Sequence, residues 1–256
     1  MNKKIIILVL ILLILIFSYF DFISFKKETF TNNSNIDKVY LINLKKNTDR
    51  LEKFMKSAKV ANVEVERFEA IYGKELDKNH PDLHKYFVKN HKLNPGQIGC
   101  ALSHIKIYEN AIKNNYKNVI VFEDDAIIPE KFWQRFNEAY NELPKDWDML
   151  LLGCCTCTGN TQKNTKLIRA NSKGNWCLTG YLMNINYCKK LIEKIKKNKI
   201  NQGIDNYLRK EYFKDNIYIP LPPFVLQDKT FKSDIIMGDL GNTLQIDNNK
   251  FITWGN

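Results

Sequence analysis

Short β-rich apolar runs alternate with helical patterns along most of this chain, and few folds accommodate that alternation. Residues 39–44, 63–68, 119–122, 148–153 and 177–183 read as strands. Between the first two, Leu51, Phe54, Met55 and Ala58 share one helical face. A longer stripe over 98–114 joins Ile98, Ala101, Leu102, Ile105, Tyr108 and Ile112. Pro129 opens a further helix with Phe132, Trp133, Phe136, Ala139 and Tyr140 on its core side, and Tyr187 to Lys197 forms another. Strand, helix, strand over 39–68 predicts a right-handed parallel crossover, and the whole predicts an α/β fold. No repeat or internal linker interrupts the pattern, so residues 37–256 are expected to form one domain. With 256 residues, 44% of them hydrophobic, the chain can bury a core without metals or disulfides. The same composition excludes a disordered chain, a collagenous chain and a disulfide-stapled miniprotein.

The N-terminus is of another kind. Ile5 to Phe20 is an apolar run broken only by one Ser and one Tyr, preceded by Lys3 and Lys4. As a helix it would be about 24 Å long, and Phe22, Ile23 and Phe25 extend it toward the thickness of a bilayer core. Residues 1–25 are therefore expected to be an uncleaved signal anchor, with a short stem over 26–36. The rival is a cleaved signal peptide, although small residues of a cleavage site are missing after Phe17. Lysines before the run favour a cytoplasmic N-terminus, a single-pass type II membrane topology, and a domain facing a lumen or the exterior. Lys26 and Lys27 on the far flank oppose that orientation, and Asn32 in Asn-Asn-Ser is a glycosylation acceptor pattern within the stem.

A net charge of +11 raises the question of nucleic acid. The densest lysine cluster, 189–199, alternates with Leu191, Ile192 and Ile195 at helical spacing, which makes it the solvated side of an amphipathic helix. Arginines are few and no nucleic-acid motif is present, so no nucleic-acid partner is expected. Attraction to anionic phosphate or to a membrane surface is the more modest reading.

The chemistry concentrates where the run Val119-Ile-Val-Phe enters Glu123-Asp124-Asp125. Acids at the carboxyl end of a sheet strand sit where open α/β folds bind ligands. Three adjacent carboxylates repel one another unless a cation neutralises them, and Mn²⁺ or Mg²⁺ prefers such oxygens together with substrate phosphates. The plain alternative is a solvated turn whose Asp caps the next helix, and phosphohydrolases and nucleases also place acids at strand ends. Upstream, Asn94-Pro-Gly-Gln-Ile-Gly-Cys-Ala-Leu-Ser-His104 sets a turn before the 98–114 helix, with Gly96 and Gly99 permitting close backbone approach to a ligand. Asp205 lies near the start of a short helix, as a cap or a base.

Taken in order, these pieces resemble glycosyltransferase family 25. The matching stretches are Val39-Tyr-Leu-Ile-Asn-Leu44 with Arg50, Phe68-Glu-Ala with Gly73, Gly96 to His104, and Val121-Phe-Glu-Asp-Asp125. Thr179-Gly-Tyr181, Ile204-Asp205, and Gln227 with Ser233-Asp-Ile235 complete them. The resemblance implies a Rossmann-like nucleotide-diphospho-sugar transferase fold of the GT-A type, a UDP-sugar donor (UDP-galactose above all), a divalent cation and inversion at the anomeric carbon. The acceptor would be a hydroxyl on a glycan or glycoprotein, collagen-like hydroxylysine included. By position, Glu123-Asp124-Asp125 stands for the family's Asp-x-Asp motif. Asp125 and Glu123 would hold the metal, and Glu123 also the donor's ribose or sugar. Asn43 and Arg50 would line the nucleotide end, with Ser103, His104, Asp124 and Gln227 also on the donor side. Asp205 is the candidate base and Asp234 the reserve. Many enzymes of this fold take a metal-ligating His from the C-terminal third, whereas His80, His84, His91 and His104 all lie in the first half, so Asp228, Gln227 or waters would complete the shell. A catalytically inactive glycan- or protein-binding relative is the other class of function considered.

Three further features point less sharply. Cys154-Cys-Thr-Cys157 has no second pair at zinc spacing, so these residues are expected to pack beside the sheet or form disulfides. His80-Pro-Asp-Leu-His84 suits an exposed loop. Trp147 and Trp176 belong near the core or floor a sugar site.

Overall fold

The computed structural model describes residues 35–211 and 214–231. The expected signal anchor and most of the stem, like Asp234, lie outside them. Among the described residues no helix is long and apolar enough to cross a membrane.

Ten strands are described: β1 Lys38–Asn43, β2 Glu66–Glu69, β3 Asn118–Glu123, β4 Ala126–Ile127, β5 Met149–Gly153, β6 Gly159–Thr161, β7 Leu167–Ala170, β8 Gly180–Asn184, β9 Ile217–Pro220 and β10 Leu226–Gln227. The helices are α1 Thr48–Val60, α2 Pro81–Tyr86, α3 Pro95–Lys113, α4 Phe132–Asn141, α5 Ile185–Asn198 and α6 Ile204–Arg209. Eight strands make one mixed sheet in the order β2-β1-β3-β8-β5-β9-β7-β6, while β10 and β4 pair separately.

The apolar runs form central strands because both faces of the sheet are covered. Tyr40, Ile42, Val119, Val121, Leu151 and Tyr181 point into one core with α3 and α5; Val39, Leu41, Ile120, Phe122, Leu150 and Leu182 point into the other with α1 and α4. Every position is therefore apolar, and alternation decides only which core receives it. The α3 helix starts where Asn94 Oδ1 accepts from the Gln97 backbone N–H and Gln97 Oε1 accepts from that of Asn94, a capping box completed by Pro95.

The parallel pairing of β1 with β2 agrees with the predicted crossover. On the other side the sheet changes direction. Between β5 and β8 the chain builds β6 and β7 instead of a crossover helix, so β8 enters antiparallel to both β3 and β5. Segment 80–84 is not an exposed loop: His80 Nδ1 accepts from the Asp82 backbone N–H and caps α2.

Candidate active site

The sheet topology gathers several chain segments at one edge. In the parallel register Ile42 lies opposite Glu123, so β1 and β3 end together at Asn43 and the acids. The Glu123 backbone N–H donates to Thr179 O, which brings the start of β8 to the same edge, and Gly153 at the end of β5 lies opposite Gly180. The β10–β4 pair then sets Gln227 opposite Ala126, immediately beyond the acids.

The three acids have three different environments. Asp124 is buried, accepting from Asn43 Nδ2 at 2.8 Å and Arg50 at 3.0 Å. Asn43 Oδ1 in turn accepts from Arg67 Nε, so Asn43 and Arg50 serve the protein's own acid. Burial raises the Asp124 carboxyl while Asn43 and Arg50 pull it down. Glu123 Oε1 lies 3.1 Å from His104 Nε2; His104 Nδ1 lies 2.8 Å from the Tyr181 hydroxyl, itself 2.9 Å from that of Tyr108. This buried chain orients Glu123 from behind.

Asp125 is the group under stress. Its Oδ2 accepts from Gln227 Nε2 at 2.8 Å, but its buried Oδ1 has no hydrogen-bond partner. Burial first, then the neighbouring Glu123 charge, pushes its carboxyl up to about 7. An orphaned carboxylate oxygen beside a second carboxylate is what a hard divalent cation satisfies, so the residues present fit such an ion.

That stress has a pH signature. In a cation-free protein Asp125 holds a proton up to about pH 7 when folded and only to its ordinary 3.8 when unfolded. Between those values the folded state binds more protons, so stability falls as pH rises. Asp228 and Glu109, lowered to about 2 from 3.8 and 4.5, act below about pH 5, where their stability is lost on acidification. Melting temperature without divalent cations should therefore drop between pH 5 and pH 8, and Mn²⁺ should restore it at pH 8. A melting temperature that rises over this range would show the Asp125 assignment to be wrong.

Asp228 is placed beside the site but engaged elsewhere. Its Oδ1 accepts from the backbone N–H and hydroxyl of Thr230, while Oδ2 pairs with Lys53. Its backbone N–H donates to Asp125 O at 2.7 Å, so it braces the metal-competent acid through the main chain. Lys53 and Asp228 also line a cavity of about 350 Å³ that reaches Asp124, with the Arg50 and Lys53 cations over the Phe231 ring.

Ser103 is fully buried, its hydroxyl donating to Gly99 O and accepting from the Ile71 backbone N–H. Gly99 corrects the expectation of close approach to a ligand: a Cβ there would stand 2.3 Å from Ile71 O and 2.8 Å from Gly73 N. Its neighbour is backbone, and Ser103 and Gly99 together clamp the 70–73 loop onto α3.

Cys100, which sequence reasoning passed over, forms part of the wall. With His104 and Glu123 it brings ligand-type atoms within 4.8 Å of one another. Burial and the charges of Glu123, Asp205 and Asp125 hold its thiol well above the ordinary range. It faces the site as a neutral thiol. Asp205 is near enough for its charge to act on Cys100, and Gly203 beside it abuts Gln97 of α3. The i, i+4 spacing of Cys100 and His104 on the amphipathic helix was the available signal.

The cysteine loop leaves from this edge too. Disulfides join Cys154 to Cys157 and Cys155 to Cys177, and Cys155 Sγ lies 3.1 Å from Gln227 Oε1. The two tryptophans separate. Trp147 stands before β5, at the opposite edge, with its ring against Tyr140, and so cannot floor this site. Trp176 is exposed, with the Arg209 guanidinium 5.3 Å from its ring centre.

The model of "Glycosyltransferase family 25 (LPS biosynthesis protein)" matches residues 36–208, from before β1 to within α6. The chain belongs to glycosyltransferase family 25. Among curated relatives, a "Glycosyltransferase 25 family member" of Anopheles gambiae is 31% identical over 191 residues, covering 68% of this chain and 31% of its own length. "Procollagen galactosyltransferase 1-A" of Xenopus laevis is 30% identical over 131 residues, covering 46% of this chain and 21% of its own. The matches thus span a third or less of these relatives. A solved "glycosyltransferase involved in the glycosylation of the major capsid of PBCV-1" aligns over 72% of this chain and 91% of its own at 7% identity and a TM-score of 0.37, too distant a likeness to carry an inference.

Proposed function

We propose that this family 25 member is an inverting hexosyltransferase of the GT-A type, moving a sugar, galactose above all, from a UDP-sugar to a hydroxyl of a glycan or glycoprotein. The observation that carries this reading is the acid cluster where β1 and β3 end together, with the Asp125 carboxylate buried and half-satisfied beside Glu123. Asp125 and Glu123 would hold Mn²⁺ or Mg²⁺, which when bound offsets the negative charge of the donor's diphosphate. His104, backed by Tyr181 and Tyr108, fixes the Glu123 carboxylate. Asn43 and Arg50 hold Asp124, and the lysine-lined cavity next to it offers positive charge at the nucleotide end. From the first turn of α6, Asp205 takes the proton of the acceptor hydroxyl as its oxygen bonds to the anomeric carbon and the bond from that carbon to the diphosphate breaks.

The N-terminal apolar run would tether this domain to a membrane as a type II anchor, facing a lumen or the exterior. Two disulfides beside the site support an oxidising compartment. Calorimetric titration of UDP into the detergent-solubilised full chain, with and without Mn²⁺, tests the donor reading. Binding is expected only with the cation. No binding under either condition would favour the inactive, glycan- or protein-binding relative.

A further inference from the structure

Trp176 is the one Trp, Tyr or Phe side chain left exposed among the described residues, at 39%. An exposed indole held by chance would sit on slack chain, but this one is gripped on both sides. Asn175 before it and Cys177 after it both have left-handed backbones, with φ of 66° and 70°. Asn175 is fully buried: its Oδ1 accepts from the Thr158 backbone N–H, and its Nδ2 donates to the carbonyls of Thr158 and Asn171, each at 2.7 Å. Cys177 is tied by its disulfide to Cys155, whose backbone N–H donates to Trp176 O. The backbone on either side of Trp176 is therefore held by fixed contacts, so the indole does not sit on slack chain.

Two routes lead from this indole to the reacting acids. Through Cys155 it neighbours Gln227, which bonds Asp125. Through Arg209, whose guanidinium lies against its ring and donates to Ser172 O and Asn206 Oδ1, it reaches the α6 face that also carries Asp205. Asp205 and Arg209 are four residues apart and share that face. Through Arg209 the indole is thus joined to the helix that carries the candidate base, the acceptor side of the proposed transfer.

We propose that Trp176 is the platform for a pyranose ring of the acceptor, with Arg209 and Asn206 meeting its hydroxyls, so that the acceptor is a carbohydrate and not a bare hydroxylysine peptide. A rigid aromatic surface with polar groups at its rim matches a sugar ring, which has an apolar C–H face and a hydroxyl edge. The placement of Trp176 on the acceptor side rests on the proposed transfer function; the sugar contact itself does not.

Saturation-transfer NMR on the full chain, with lactose and a hydroxylysine-containing Gly-X-Y peptide as separate probes, tests it. Lactose should receive saturation on the C–H protons of one ring face. Trp176→Ala should weaken lactose binding about tenfold, the scale of one aromatic contact, while Trp176→Phe retains most of it. UDP binding with Mn²⁺ should stay within twofold in both variants, which also shows that they fold. Lactose that fails to bind, lactose that binds Trp176→Ala as well as the parent, or a peptide that binds where lactose does not would each overturn the proposal. Trp176-dependent lactose binding without any UDP binding would uphold the sugar platform and overturn the transferase reading instead.

Discussion

Asp125→Asn is expected to remove the proposed cation-dependent UDP binding and to leave the fold standing. The buried Asp125 carboxylate has one oxygen satisfied by Gln227 and one left over, facing the charge of Glu123. An amide keeps an oxygen for Gln227 and loses the charge that a cation needs. UDP affinity with Mn²⁺ should fall on the order of a hundredfold or more, because donor phosphates then meet carboxylates with no ion between them. Relief of the repulsion predicts the opposite sign for stability. At pH 8 without cations the variant should melt at or above the parent, and the drop between pH 5 and pH 8 should largely vanish. Calorimetry and thermal melts on the same preparations read both effects. Undiminished UDP binding with Mn²⁺ would remove Asp125 from the metal site.

Asp205→Asn should separate binding from turnover. Asp205 accepts from the Asn206 backbone N–H on α6, apart from the contacts that Asn43 and Arg50 make to Asp124 and Gln227 makes to Asp125, so the donor end does not depend on it. UDP affinity should remain within about twofold, while transfer from UDP-galactose falls roughly a hundred- to ten-thousandfold, the usual contribution of a positioned base. The measurement is product formation at saturating donor, with UDP release in the absence of acceptor as a control. Normal transfer by this variant would end the case for Asp205 as the base.

Much of the candidate site could be read from the chain because its residues arrive in short contiguous pieces. The sequence Val119-Ile-Val-Phe-Glu-Asp-Asp records in one line a strand buried on both faces and the edge where it ends. The apolar stripe over 98–114 marked α3, but the helix starts earlier, at Pro95, because the Asn94–Gln97 capping box draws the expected turn into its first turn. What was misread are positions whose partner comes from elsewhere in the chain. Gly99 looked like a glycine meant for a ligand, yet the atoms against it belong to Ile71 and Gly73. Asp228 reads as a spare acid and is held by Lys53 and Thr230.

The chain's own order of apolar and polar residues determined that strands alternate with helices, that the central strands are buried on both faces, and that three acids stand at the end of one of them. Those are consequences of periodicity and local hydrogen bonding, which act over a few residues. Only the tertiary structure decided that β8 runs antiparallel, that His104 backs Glu123 across 19 residues, and that Gln227 meets Asp125 across 102. It also separated Trp147, half-buried against Tyr140, from Trp176, exposed beneath the Arg209 guanidinium. The physical reason is that burial, pairing and a shifted proton affinity depend on what surrounds a group in space.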